Sequence, residues 1–288
     1  MAELPHFVII GAMKAGTSTL YEWLTENAGA PACSEKEPGF FAVDRVWNRG
    51  ADWYKNLFAP GPVPYRGGEA STHYSQPHMA EVAATRMRAV VPEARIIYLV
   101  RDPVERVRSH YRHDVLSARE RRPFLEALRG NEQYLGASCY WSRLQPYLEH
   151  FPREQILVLP FDDIFGPSDT AWREVLDHVD LPWVPRPDTA RNRTEDKKPD
   201  SAVRRWLLRH GLREVKDLVP RAAWQLGSRV LKRTSRQGPA VRALLDAELV
   251  IPGDALERLD QEAAALGAWL GREQLWPVYD ASADGKLA

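Results

Sequence analysis

Residues 7 to 20 read Phe-Val-Ile-Ile-Gly-Ala-Met-Lys-Ala-Gly-Thr-Ser-Thr-Leu. Four apolar residues predict a short buried strand. A loop bounded by Gly11 and Gly16 follows, and Thr17-Ser18-Thr19 opens an amphipathic helix. A strand that feeds a glycine loop into a helix start is a phosphate cradle: its N–H groups point at the ligand and the helix dipole favours negative charge. The glycine spacing fits the G-x-x-x-x-G-K-[ST] pattern of nucleotide loops, yet Thr17 stands at the lysine position and the lysine, Lys14, lies inside the loop. The backbone of Ala15, Gly16 and Thr17 and the hydroxyls of Thr17, Ser18 and Thr19 are candidate phosphate ligands. Lys14 is placed to meet charge developing on them.

A second constellation runs Arg101-Asp102-Pro103-Val104-Glu105-Arg106-Val107-Arg108-Ser109. Asp102 suits an N-cap and Pro103 the first helical position, which leaves Arg101 at a strand end on the ligand side. Ser109 falls two turns into the helix, ~10 Å along its axis. An arginine and a hydroxyl can hold a second anion, and two separated anion sites suit a nucleoside phosphorylated at both ends. The alternative is a structural Arg101–Asp102 pair with Ser109 facing solvent.

Two further side chains are of types that can serve as a general base to a substrate hydroxyl. Glu37, in Lys36-Glu37-Pro38-Gly39-Phe40-Phe41, is the first candidate, against the alternative of a solvated glutamate paired with Lys36. His73, in Gly68-Glu69-Ala70-Ser71-Thr72-His73-Tyr74, is the second, although a lone histidine is more often a structural hydrogen-bonder. Glu69 could support Lys14 or face the acceptor. Phe40, Phe41, Trp47, Trp53 and Tyr54 could line an apolar acceptor pocket or simply pack.

The elements that must position these groups alternate. Apolar runs at 7–10, 68–71, 95–100 and 155–159 predict strands, three of them near-continuous and so covered on both faces. Helical patterns lie at 17–26, 77–91, 103–117, 138–150 and 168–179, and another at 253–270. Alternation implies a parallel sheet with ligands at the strand carboxyl ends. The expected class is α/β, a three-layer P-loop-like fold with a central parallel sheet flanked by helices and a helical C-terminal third. One domain spans 1–288: an α/β core over about 5–185, a covering loop and helical part over about 186–276, and a tail.

Composition narrows the class. The chain has 288 residues, 44% of them hydrophobic, enough for one large core, and a formal net charge of zero, which removes any global field for nucleic acid. Cys33 and Cys139 show no metal or redox spacing. No signal-like leader or ~20-residue apolar run is present, so the expectation is a cytoplasmic chain. Residues 201–242 hold eleven Lys/Arg against Glu214 and Asp217, a local net of +9. That segment reads as a solvated face, a funnel for anionic ligands or a peripheral membrane contact.

With these residues in view, the chain resembles the sulfotransferases that use 3′-phosphoadenosine 5′-phosphosulfate (PAPS). Gly11 through Thr19 resembles their 5′-phosphosulfate loop, and Arg101 through Ser109 their 3′-phosphate motif. Residues 36–41, 68–74 and 147–159 resemble segments of the heparan-sulfate and bacterial branch. The resemblance implies transfer of a sulfuryl group from PAPS to a hydroxyl or amine acceptor by in-line displacement, without a metal, and with the glutamate at position 37 as base. It also implies a cofactor-covering loop near Asn192, Arg193 and Lys197, and an aromatic near the cofactor cleft at Tyr140. Two departures stand out: the familiar histidine two residues after the glutamate is Gly39, and the familiar lysine after Glu69 is Ala70. A small molecule, lipid or sugar is the expected acceptor. The rivals are an ATP-dependent P-loop kinase, which would want a lysine at 17 and a strand-end carboxylate for Mg²⁺, and a noncatalytic nucleotide-binding protein.

Overall fold

The structure, a computed structural model, describes residues 4–59, 64–187 and 239–277. In chain order the elements are β1 (Phe7–Gly11), α1 (Thr17–Glu22), α2 (Asp44–Trp47), α3 (Ala51–Lys55), β2 (Gly68–Ala70), α4 (Ala80–Val90), β3 (Arg95–Val100) and α5 (Pro103–Leu116). Then come α6 (Phe124–Gly130), α7 (Glu132–Gly136), α8 (Tyr140–His150), β4 (Ile156–Pro160), α9 (Phe161–Phe165), α10 (Thr170–His178), α11 (Pro239–Asp246) and α12 (Gly253–Leu270). The four strands form one sheet in the order β2-β1-β3-β4, parallel throughout. All four expected strands are found, each within a residue of its predicted bounds.

Burial explains the apolar runs. Every residue of β1 and β4 is buried, as is β3 after Arg95, because helices cover both faces of a parallel sheet. Phe7 lies opposite both Gly68 and Arg95, and the β1–β3 register slips by one residue between Ile9 and Gly11, where the chain leaves the sheet for the glycine loop.

The helices differ from expectation mainly at their ends. The helix predicted over 17–26 is α-helical only to Glu22 and then widens into a π turn, Trp23–Asn27, closed by the Ala28 N–H on the Trp23 carbonyl at 3.0 Å. Trp23 packs edge-on against Trp172 of α10, 5.8 Å between centroids, and against Phe165 at 5.2 Å. The helix predicted over 77–91 starts only at Ala80, because the Met79 and Ala80 N–H groups both close a turn onto the Gln76 carbonyl. Helices α2, α3, α7 and α9 have four or five residues each, too short to show a helical period.

The chain divides into two compact units. One comprises Met1–Val107, Asn131–Arg191 and Ile251–Ala288; the other comprises Arg108–Gly130 and Asn192–Val250. The sheet lies wholly in the first. Among the described residues, no helix is long and apolar enough to cross a membrane.

His178, at the end of α10, places Nε2 3.2 Å from the Ile96 carbonyl of β3. Burial pushes its pKa down to about 4, with the backbone hydrogen bond opposing. The folded state therefore holds the ring neutral, while the unfolded chain protonates near pH 6.5. Stability from this site is complete above that pH and is lost as pH falls toward 4, up to about 3 kcal/mol. Urea unfolding at pH 7 and pH 4.5 should show this loss, and His178→Gln should shrink the difference between the two; an unchanged difference would refute the assignment.

Candidate active site

The glycine loop leaves β1 at Gly11 and turns through Met13–Gly16 into α1. The Ala12 N–H donates to the Leu99 carbonyl of β3 at 2.6 Å, which fixes the loop to the middle of the sheet. The Ala15 N–H closes onto the Ala12 carbonyl at 3.0 Å. Gly16 is left-handed (φ 91°, ψ 10°) and its carbonyl accepts the Thr19 and Leu20 N–H groups. The Thr17 and Ser18 amides, first in α1, have no acceptor within the helix. Only glycine fits at 16: a Cβ there would run into the Phe165 ring. Lys14 is itself left-handed, at φ 74°. Thr17 and Ala15 are buried, whereas Lys14, Gly16, Ser18 and Thr19 are partly exposed. Left-handed backbone at Lys14 and Gly16 gives the kind of turn that can aim successive N–H groups at an anion.

Asp102 caps α5 as expected. Its Oδ1 accepts the Glu105 N–H at 2.8 Å and its carbonyl accepts the Arg106 N–H at 2.9 Å. Arg101 stays at the end of β3, where the Tyr140 hydroxyl donates to its carbonyl at 2.8 Å. Burial pushes the Tyr140 phenol up to about 12, so it remains a donor at neutral pH. The Arg101 guanidinium lies over the Phe161 ring, 5.2 Å from its centroid, with Nη2 3.8 Å from Glu105 Oε2. Phe161 also lies 3.4 Å from where a Gly16 Cβ would sit. The glycine loop after β1 and the arginine after β3 therefore meet at the aromatic rings of α9, directly after β4.

Arg106, to which the sequence assigns no role, lies behind the glycine loop. It is fully buried; Nε donates to the Ser138 hydroxyl, Nη2 to the Tyr134 carbonyl and Nη1 to the Met13 carbonyl at 3.5 Å. One buried guanidinium thus ties α5 to the back of the glycine loop. Hydropathy gives no warning, because the residue stands beside the apolar stripe Val104, Val107, Tyr111.

Glu37, the first candidate base, is partly exposed and left-handed, at φ 50°. Two residues on, Gly39 (φ 64°) donates its N–H to the Ser71 hydroxyl at 3.0 Å, and His73 Nδ1 lies 3.5 Å from where a Gly39 Cβ would be. His73 Nδ1 is buried with no hydrogen-bond partner among the described residues. The His73 turn follows β2 and reaches the glycine loop, since a Cβ at Gly11 would overlap Ser75. Glu69 is 0% exposed, so it does not face an acceptor; its carboxylate accepts from Tyr54, Tyr74 and Ser71 hydroxyls, each at 2.7 Å. Burial pushes its pKa up and the three hydroxyl donors pull against that. Phe40, Phe41 and Tyr54 are also fully buried, with Phe40 stacked on Tyr54 at 4.4 Å, so these aromatics pack as core and line no acceptor pocket.

Ser109 belongs to the second unit, partly buried on α5. In that unit His110 Nε2 lies 3.5 Å from Asp114, and Arg122 holds Glu120 at 2.6 Å, with the arginine bonds pulling the Glu120 carboxyl down to about 2. Asn192, Arg193, Lys197 and residues 201–238 lie outside the described residues. Among the described residues, no group of three or more His, Cys, Asp or Glu side chains gathers as a metal site.

Residues 75–185 match the model of the Sulfotransferase family. Heparan sulfate glucosamine 3-O-sulfotransferase 3B1 of Mus musculus is 30% identical over 189 residues, covering 62% of this chain and 47% of that protein. Bifunctional heparan sulfate N-deacetylase/N-sulfotransferase 3 of Homo sapiens is 32% identical over 200 residues, covering 60% and 22%. The chain thus spans less than half the length of these relatives. In fold, a sulfotransferase from Alicyclobacillus acidocaldarius superposes with a TM-score of 0.61 at 23% identity, over 94% of this chain and 97% of that one. These findings bear out the resemblance read from the motifs and the expected fold class.

Gly16→Ala tests the loop. The left-handed backbone and the overlap with Phe165 together should cost about 1–3 kcal/mol. Inorganic pyrophosphate should raise the melting temperature of the parent chain and fail to raise that of the variant. A variant that melts like the parent and is stabilised equally by pyrophosphate would show that the loop is not the anion site.

Proposed function

We propose that the protein is a sulfotransferase that moves a sulfuryl group from PAPS to a hydroxyl or amine on a small molecule, lipid or sugar. One observation carries the reading. Among the described residues, four non-glycine residues have positive φ, and two of them are Lys14 and Glu37, the residues that the motifs single out for chemistry. Left-handed backbone costs a non-glycine residue about 1–3 kcal/mol and persists where surrounding structure enforces it, commonly at sites of function. Here the strained residues lie on the glycine loop after β1 and on the loop that Ser71 holds beside β2.

The glycine-loop amides and the Thr17, Ser18 and Thr19 hydroxyls fit the 5′-phosphosulfate, and Arg101 beside Phe161 fits the 3′-phosphate end of the nucleoside. In the transfer, the acceptor oxygen attacks sulfur in line. A new S–O bond forms as the bond from sulfur to the bridging phosphate oxygen breaks, and that electron pair stays on the 5′-phosphate. Lys14 and the loop amides meet the charge that grows there, which is where preorganised donors contribute most. The acceptor proton passes to the Glu37 carboxylate. His73, with its ring against Gly39, is the second group able to take that proton. The products are a sulfate ester or sulfamate and 3′,5′-bisphosphoadenosine.

Calorimetry with 3′,5′-bisphosphoadenosine, without magnesium and with ATP as competitor, tests the donor. Binding that ATP fails to displace supports the reading; a preference for ATP, or a need for Mg²⁺, overturns it. Lys14→Gly should relieve backbone strain and so keep or raise the melting temperature, while bisphosphate affinity drops by about tenfold or more. Equal affinity in that variant would remove Lys14 from the site. Glu37→Gln should leave bisphosphate binding intact and cut transfer by roughly 10²-fold or more; transfer at the parent rate would exclude Glu37 as the base.

A further inference from the structure

The hydroxyl cage around Glu69 has no role in the transfer as derived above. Burying a carboxylate is costly unless hydrogen bonds and an opposite charge compensate it. Glu69 is fully buried, no cation among the described residues pairs with it, and three hydroxyls alone hold it. All three donors lead to the loop that carries Glu37. Ser71 Oγ has one proton, which it gives to Glu69 Oε2, so its lone pair is turned to accept the Gly39 N–H at 3.0 Å. Tyr54, bonded to Oε1, stacks on Phe40 at 4.4 Å. Tyr74, bonded to the same oxygen, lies 5.5 Å from Phe41. Residues 39, 40 and 41 are thus gripped one after another by the three side chains that Glu69 orients.

We propose that Glu69 is a positioning residue for the base: its charge fixes the Ser71 rotor and the two tyrosines, and through them holds the Glu37 loop in its left-handed course. The assignment rests on the sulfotransferase reading. Only an acceptor at both oxygens sets this pattern. An amide at position 69 presents an NH₂ to one donor, and Ser71 then loses the acceptor that aims its lone pair at Gly39. The Glu37 charge also acts on Glu69 and pushes its carboxyl up, which shows the two carboxylates to be electrostatic neighbours.

The test compares Glu69→Gln and Ser71→Ala with the parent chain. Three readouts are taken: amide hydrogen exchange in the peptide spanning 36–43, calorimetric affinity for 3′,5′-bisphosphoadenosine, and transfer from labelled PAPS to a panel of phenols, sterols and amino sugars. Both variants should exchange roughly tenfold faster at 39–41, the loss expected for one buried hydrogen bond. Bisphosphate affinity should stay within about twofold, because the donor loop is not part of the cage, while transfer falls by about tenfold or more at unchanged donor KM. If Glu69→Gln does not fold, Ser71→Ala decides on the same readouts. Parent-like exchange and transfer in a folded variant would overturn the assignment, as would a loss of bisphosphate binding that matches the loss of transfer. A parent chain that neither binds the bisphosphate nor transfers refutes the sulfotransferase reading instead, and the exchange result then stands alone for or against Glu69 as the holder of the loop.

Discussion

A charge taken out of water must be met by hydrogen bonds, and this fold buries one charge of each sign beside its two chemical loops. Arg106 lies behind the glycine loop, bound to a hydroxyl and to the carbonyls of Tyr134 and Met13. Glu69 lies behind the Glu37 loop, bound to three hydroxyls. Each costs desolvation and each is fully enclosed. Neither loop could keep its shape by propensity, since both contain a left-handed non-glycine residue. The buried charges supply directional bonds stronger than neutral pairs: Arg106 reaches the Met13 carbonyl of the glycine loop directly, and Glu69 reaches the Gly39 N–H through the Ser71 hydroxyl. Their signs also suit the proposed roles of the two loops, a cation behind the loop proposed for the phosphosulfate and an anion behind the loop of the proposed base.

The sheet makes this arrangement possible by ending its strands at one level. The Ala12 N–H bonds the last turn of β3 through Leu99, and the Ser71 N–H bonds β1 through the Ile9 carbonyl at 3.0 Å. The segments after β1 and β2 are therefore positioned by sheet hydrogen bonds, while Arg101 after β3 is held by the Tyr140 hydroxyl. The helix after β4 adds the flat rings of Phe161 and Phe165, which close the side of the glycine loop and carry the Arg101 guanidinium. Ligands at carboxyl ends of parallel strands follow from this geometry.

Much of this was legible before any coordinates. The strands announce themselves as apolar runs because both faces are covered, and Asp102 and Pro103 mark the start of α5 by their capping chemistry alone. The glycine loop is legible because only a few residue types allow its backbone. Other features were not. Arg106 is a charged residue in a charge-rich helix sequence, and no periodic rule distinguishes a buried guanidinium from a solvated one. The sequence offers Lys14 or an acceptor as the partner of Glu69, because its true partners come from α3, from the turn after β2 and from Ser71, and contacts between positions 54 and 69 leave no mark on local pattern. Phe40 and Phe41 read equally well as a pocket or as core, and burial against Tyr54 and Tyr74 decides for core. The π turn after α1 follows from packing Trp23 between Phe165 and Trp172, a tertiary demand on a locally ordinary helix.

The departure at Gly39 has a steric explanation. With φ at 64° the position favours glycine, and a Cβ there would already touch Val43 at 3.3 Å and His73 Nδ1 at 3.5 Å. A side chain at 39 would thus stand in contact with the His73 ring, which arrives from the turn after β2 with its own buried ring nitrogen. The Gly39 N–H can then sit flat against Ser71, within reach of the hydroxyl that Glu69 orients. A side chain at 39 would have to adopt that left-handed backbone and press on Val43. Glycine at 39, histidine at 73 and the caged carboxylate at 69 are in this sense one packing solution, and the course of the backbone at Glu37 is set by all three.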